Sequence, residues 1–216
     1  MHTRANEANL KFLIAGTGRC GTGYMAALFN ELGIPCGHEK VFNADDKVKG
    51  GPWVGDSSWH CVPFLPVIDL PVLHVVRHPL DVIGSLLNAT RLFEPNAHGK
   101  HQRYLEKHFE LRGGYDADFV ARENAARYWY QWNTRIRTYA SARVNIDHRS
   151  TLGNVANFLN CVGFNFTYSD VMSAREKLPC RTNASATPYE RVDRGQIPLT
   201  MIRCLKNEAA YYGYEV

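Results

Sequence analysis

The chain has no apolar run that approaches the length of a bilayer span, so nothing in it reads as a transmembrane helix. Its opening residues, Met-His-Thr-Arg-Ala-Asn-Glu-Ala-Asn, lack the apolar centre of a secretory signal, which points to a cytoplasmic protein. There is no Cys-x-x-Cys pair. The six cysteines, at 20, 36, 61, 161, 180 and 204, follow neither a disulfide framework nor zinc-ligand spacing and read as reduced thiols. On that reading the three Asn-x-Ser/Thr matches, at Asn88, Asn165 and Asn183, are coincidences. Low-complexity tracts and internal repeats are missing too, which excludes a solenoid or a largely disordered chain. Charge of one sign does not dominate: a net +4 is too diffuse to argue for nucleic acid and suits a small polyanionic ligand.

What is present is enough for a packed core. With 45% hydrophobic residues among 216, the sequence predicts one domain over 1–216, with a mobile insertion or lid at about 94–118. Strands are predicted over 11–15 and 72–76, with shorter ones near 53–56 and 143–146. Helices are predicted over 22–32, 79–92, 118–140, 152–161 and 198–211, while 36–52 and 178–198 read as loops. Alternating strands and helices predict an α/β fold of the P-loop NTPase-like, three-layer kind, with a central parallel sheet covered on both faces. Ligands in such sheets bind beyond the carboxyl ends of the strands.

The most informative stretch is Lys11-Phe-Leu-Ile-Ala-Gly-Thr-Gly-Arg-Cys-Gly-Thr-Gly-Tyr-Met25, an apolar strand followed by a glycine loop and an amphipathic helix. Glycines at 16, 18, 21 and 23 let backbone N–H groups converge on an anion at a helix start. A P-loop reads G-x-x-x-x-G-K-[ST]. Here Thr22 stands at the lysine position and Gly23 at the Ser/Thr position, so the loop is suited to a phosphate-like group but not to a nucleoside triphosphate with magnesium. A second constellation, Arg77-His-Pro-Leu-Asp-Val-Ile-Gly-Ser85, follows the strand at 72–76 and offers a guanidinium fork and a hydroxyl for another phosphate.

Taken together, these two motifs resemble those of sulfotransferases that use 3′-phosphoadenosine 5′-phosphosulfate (PAPS), in particular the carbohydrate and tyrosylprotein branches. Gly16-Thr-Gly-Arg-Cys-Gly-Thr22 is similar to the family's 5′-phosphosulfate loop, with Cys20 where serine is common, and Arg77 to Ser85 is similar to its 3′-phosphate motif. The resemblance covers about two thirds of the chain. It implies that Gly18, Arg19, Cys20, Gly21, Thr22, Gly23, Arg77 and Ser85 bind the donor, with Arg19 also stabilising the charge that develops on the bridging oxygen. Residues of a late loop, from Arg181-Thr-Asn183 or from Arg191 to Gly195, would close over the nucleotide. It further implies that Glu39, in Cys36-Gly-His-Glu-Lys-Val41, takes the acceptor's proton, with His38 the alternative base. No metal is implied: His98, His101 and His108 resemble metal spacing only superficially.

Blander readings stand beside these. Arg77 could be an ion-pair partner for Asp81, Ser85 a small residue packed on the sheet, and Glu39 a solvated carboxylate. Asp56, Ser57 and Ser58 suit a helix cap better than an acceptor site, and Trp129 and Trp132 suit the core. The basic residues Lys100, Arg103, Lys107 and Arg112 suit a solvated lid, with an anionic acceptor the alternative. Rival functions are a nucleotide kinase or NTPase with Asp69 as its Walker B carboxylate, and a PAPS-binding protein without catalysis. The acceptor class and the oligomeric state are not legible.

Overall fold

Sequence positions 9–45, 50–89, 92–93, 99–114, 116–148, 151–179 and 191–216 are described by the structure, a computed structural model. Five strands, β1 (Phe12–Gly16), β2 (Cys36–His38), β3 (Gly55–Ser57), β4 (Val72–Val76) and β5 (Ala142–Asn145), form one all-parallel sheet in the order β2-β3-β1-β4-β5. β1 and β4 are buried along their whole length, which is why both read as continuous apolar runs without polar alternation. Ile14 of β1 lies opposite Ser57 on one side and Leu73 on the other.

Helices α1 (Thr22–Glu31), α5 (Leu152–Cys161) and α6 (Tyr168–Lys177) pack on one face; α2 (Pro79–Ala89), α4 (Ala117–Tyr139) and α7 (Leu199–Tyr211) pack on the other. The remaining helix, α3 (Lys100–His108), covers the turn after β3. The three-layer α/β architecture expected from the sequence is the one observed. On the α1 face Phe12 meets Phe29 at 5.2 Å and, edge to face, Phe158 at 5.9 Å. Its full burial contributes about 2–3 kcal/mol by transfer from water, and the ring contacts add about 1 kcal/mol. On the α4 face His74 lies 2.9 Å from Asn133 Oδ1. The Asn133 amide donates to Trp129 O, so its Oδ1 is the acceptor and His74 carries its proton on Nε2.

Several elements differ from the sequence expectation. β2 falls inside a stretch read as loop. Its three residues carry no apolar alternation, and the strand exists through its pairing of Cys36, Gly37 and His38 with Gly55, Asp56 and Ser57. α6 was not expected because its polar composition hides the stripe of Val171 and Ala174; its signal was the capping box of Thr167 and Asp170. The segment read as a lid contains α3, whose Tyr104 and Leu105 are buried; the rest of that segment includes 94–98 and 115, outside the described residues. Asp69 is exposed and follows a 3-10 turn over Val62–Val67, with no strand leading into it. Among the described residues no helix is long and apolar enough to cross a membrane. Cys20, Cys36, Cys61, Cys161 and Cys204 are unpaired thiols, and Cys180 lies outside the described residues.

The chain enters β3 on one side of β1 and β4 on the other. The β1–α1 loop therefore opens at the place where the order of connection reverses, the usual ligand crevice of such sheets.

Candidate functional site

The glycine loop is held by contacts from three directions. Cys20 N–H turns back to Thr17 O at 3.3 Å, and Gly18 N–H donates to the buried Tyr128 hydroxyl of α4 at 2.8 Å. Arg19 adopts a left-handed backbone, with φ 70°, and its Nε donates to Ser85 Oγ of α2 at 2.9 Å. Gly21 ends the loop with φ 103°, and a Cβ there would lie 2.1 Å from Ile146 Cδ1, so glycine is required on both counts. The first-turn amides of α1 that follow have no intrahelical acceptor and carry the positive end of the helix dipole. Thr22 is fixed through its carbonyl, which accepts from Ser57 Oγ at 2.8 Å, and its hydroxyl lies 3.4 Å from His38 Nε2. The Cys20 thiol is fully buried, and that burial pushes it up to about 12, with Arg77 pulling weakly the other way. It is an inert packing group, not a nucleophile.

Arg77 leaves the tip of β4, where its carbonyl accepts from Trp129 Nε1 at 3.2 Å. Its Nε lies 3.6 Å from Asp147 Oδ1, just beyond β5. The partner weighed from sequence, Asp81, instead meets Arg191 at 3.4 Å. Asp147 is itself fixed, accepting from His78 N–H at 3.0 Å and from the Tyr214 hydroxyl at 3.2 Å. Arg19 and Ser85 are thus in contact, and Arg77 stands at the neighbouring strand tip within electrostatic reach of Cys20. Asn183 lies outside the described residues.

Glu39 follows β2 in a left-handed turn, with φ 53°. That turn is secured by Asp56, a fully buried carboxylate that accepts from the N–H groups of Lys40 at 3.1 Å, Val41 at 3.3 Å and Phe42 at 3.0 Å. Ser57 and Ser58 are also loop fasteners, Ser58 donating to Phe42 O at 3.0 Å. None of the three caps a helix, contrary to the sequence expectation: Asp56 binds the turn after β2, Ser57 binds α1, and Ser58 binds Phe42 O and the His60 N–H two residues on. Burial raises the proton affinity of the Glu39 carboxylate, and a hydrogen bond from the Trp59 side chain partly offsets it. The same indole reaches the glycine loop: its Cδ1 is 4.0 Å from a Cβ built on Gly18. Glu39 and the phosphate-type loop therefore share one wall. His38 is the more exposed of the two proposed bases and lies 3.8 Å from Glu39 Oε1; partial burial, with Lys40 nearby, lowers its proton affinity.

Two further side chains meet this wall. His60 Nδ1 lies 3.7 Å from Glu39 Oε2, and His60 Nε2 lies 3.2 Å from His101 Nδ1 of α3. Sequence reasoning gave no role to Trp59 or His60 and placed Tyr128 only on an apolar helical stripe. None sits in a recognisable spacing, since each reaches the site from a different segment. Trp129 and Trp132 are core residues, as their spacing predicts.

No protein-family model matches this chain, and no curated protein matches it.

Proposed function

We propose that this chain transfers the sulfuryl group of PAPS to a hydroxyl or amine acceptor, as a cytoplasmic enzyme. The observation that carries the reading is the 2.9 Å bond between Arg19 Nε and Ser85 Oγ, which joins two motifs 66 residues apart at one crevice. Neither motif is specific alone; side by side on adjacent strand tips, they suit a ligand with two separated anionic groups. Arg19, the loop residues Gly18, Cys20, Gly21, Thr22 and Gly23, and the start of α1 would face the 5′-phosphosulfate. Arg77 and Ser85 would take the 3′-phosphate, with Asp147 orienting the Arg77 guanidinium.

In the reaction the acceptor oxygen or nitrogen bonds to sulfur as the bridging sulfur–oxygen bond breaks, and 3′-phosphoadenosine 5′-phosphate leaves. The acceptor's proton passes to Glu39, and the charge on the departing oxygen is met by Arg19 and the helix start. As in phosphoryl transfer, positioning and charge stabilisation supply most of the catalysis.

Calorimetric titration with 3′-phosphoadenosine 5′-phosphate and with AMP tests the donor site. The doubly phosphorylated ligand is expected to bind more tightly. Arg77→Ala is expected to weaken it by about 10- to 100-fold, the scale of a lost charged hydrogen bond, while leaving AMP unchanged. Equal affinity for the two ligands overturns the assignment. Transfer of labelled sulfate to an acceptor panel, abolished in Glu39→Gln, tests the base; undiminished transfer removes Glu39 from that role.

A further inference from the structure

We propose that Glu39, His60 and His101 form a binding site for one divalent transition-metal ion of the zinc class. The inference does not depend on the sulfuryl-transfer reading. One ligand atom from each residue lies within 4.8 Å of the other two. The three come from the turn after β2, the turn after β3 and the first turn of α3, so their convergence is a property of the fold and not of local sequence.

The hydrogen-bond pattern around His60 orients its lone pair. The Ser58 hydroxyl donates its single proton to Phe42 O at 3.0 Å, so toward His60 Nδ1, 3.4 Å away, it can only accept. Nδ1 therefore carries the proton, and the lone pair on Nε2 accepts from His101 Nδ1 at 3.2 Å; an ion takes the place of that proton, which His101 then carries on Nε2. That separation matches the edge of a tetrahedron around an ion with metal–nitrogen bonds of about 2.0–2.1 Å. The ring is held in place by the Trp59 indole at 3.8 Å and by Tyr104, edge to face at 4.7 Å. The Tyr104 hydroxyl donates to His60 O, tying α3 to the same turn. Supporting contacts of this kind orient imidazole ligands in metal sites. Glu39 Oε2 lies 3.7 Å from His60 Nδ1, so its side chain has to turn toward Nε2 to supply the third donor.

Two imidazole nitrogens and one carboxylate select a borderline ion such as Zn²⁺ or Co²⁺ over Mg²⁺ or Ca²⁺, which take oxygen ligands. Three protein ligands leave a fourth position open to water or to an acceptor group. Lys100, His38, Lys40 and His108 are the neighbouring basic groups, the first three exposed at the surface and His108 half-buried. On the proposed function, an ion bound here would engage the Glu39 carboxylate and withdraw it from proton transfer.

The test uses the full chain after chelator treatment, titrated calorimetrically with Zn²⁺ and followed by visible absorption with Co²⁺. One ion per chain and the intense visible bands of tetrahedral Co²⁺ are expected. His101→Ala, at a half-buried position on α3, should weaken binding by about 100-fold or more, and Glu39→Gln by at least about 10-fold. Ion-free His101→Ala loses the stacking of His101 on His60, so each protein is compared with its own ion-free form: the rise in melting temperature on adding Zn²⁺ expected of the parent should disappear in the variant. No binding by the parent chain, binding unchanged in His101→Ala, or a near-ultraviolet thiolate band that assigns the ion to cysteine would each overturn the proposal.

Discussion

Replacing Gly21 with alanine tests whether the glycine loop has the conformation described, and the structure divides the cost into two parts. The backbone at Gly21, with φ 103° and ψ 17°, lies outside the region that an L-residue occupies comfortably, which costs about 1–2 kcal/mol. The added methyl would also sit 2.1 Å from Ile146 Cδ1, so that side chain must move, and overpacking of this kind costs about 1–3 kcal/mol. Gly33 isolates the first part, because it has φ 77° and nothing within 4 Å of a Cβ placed on it. Gly33→Ala is therefore expected to cost about 1–2 kcal/mol and Gly21→Ala about 2–5 kcal/mol in urea unfolding. Ile146→Val removes the clashing carbon. Combined with Gly21→Ala, it should recover about 1 kcal/mol relative to the sum of the single changes. If Gly21→Ala costs no more than Gly33→Ala, or if the Gly21 and Ile146 changes simply add, the loop does not press against the end of β5 as described.

Two other expectations concern the buried polar contacts behind the site. Tyr128→Phe leaves Gly18 N–H without its acceptor in a buried position, at a cost of about 1–3 kcal/mol, and the Gly18 amide should exchange with deuterium faster than in the parent. Unchanged exchange would mean that this bond does not hold the loop. Burial lowers His74 from its ordinary 6.5 to about 4, so the unfolded chain binds a proton that the native state refuses. The stability that this neutral imidazole allows is present above pH 6.5 and is lost as pH falls toward 4, by about 3 kcal/mol in all. Urea unfolding at pH 7 and pH 4.5 should show this loss diminished in His74→Gln, which keeps a donor for Asn133; an identical loss in the variant would assign the pH dependence to other groups.

The parts of the fold that were legible in the sequence are those whose signal is local. β1, β4 and the helices that follow them announce themselves by apolar runs ending in glycine or proline, and the all-parallel arrangement follows from their alternation. β2 was not legible because a three-residue strand centred on Gly37 is specified by its neighbour and not by its own residues. The site divides in the same way. The glycine loop and the Arg77–Ser85 spacing could be read directly, whereas Asp56 was mistaken for a capping residue because its three amide partners lie 14 to 16 positions earlier. His60 and His101, 41 positions apart, carry no spacing signal, and only the placement of α3 over the β3 turn brings them together.

The absence of a P-loop lysine has a structural counterpart that bears on which ligands the crevice suits. Thr22, at the lysine position, turns its hydroxyl toward His38 and has its carbonyl bound by Ser57, so it sends no cation into the loop. Positive charge comes instead from Arg19 and Arg77, each steered by a partner, Ser85 for one and Asp147 for the other. Arg19 belongs to the loop after β1 and Arg77 to the tip of β4, and these strands are hydrogen-bonded neighbours about 4.8 Å apart. A ligand with one anionic group can satisfy one of these guanidinium groups; a ligand with two, held at a fixed separation by a ribose, can satisfy both. Discrimination between a doubly and a singly phosphorylated adenosine would then be set by the order of strands in the sheet. On the proposed function, the binding difference expected between the two nucleotides would follow from β1 and β4 lying side by side, and from neither motif by itself.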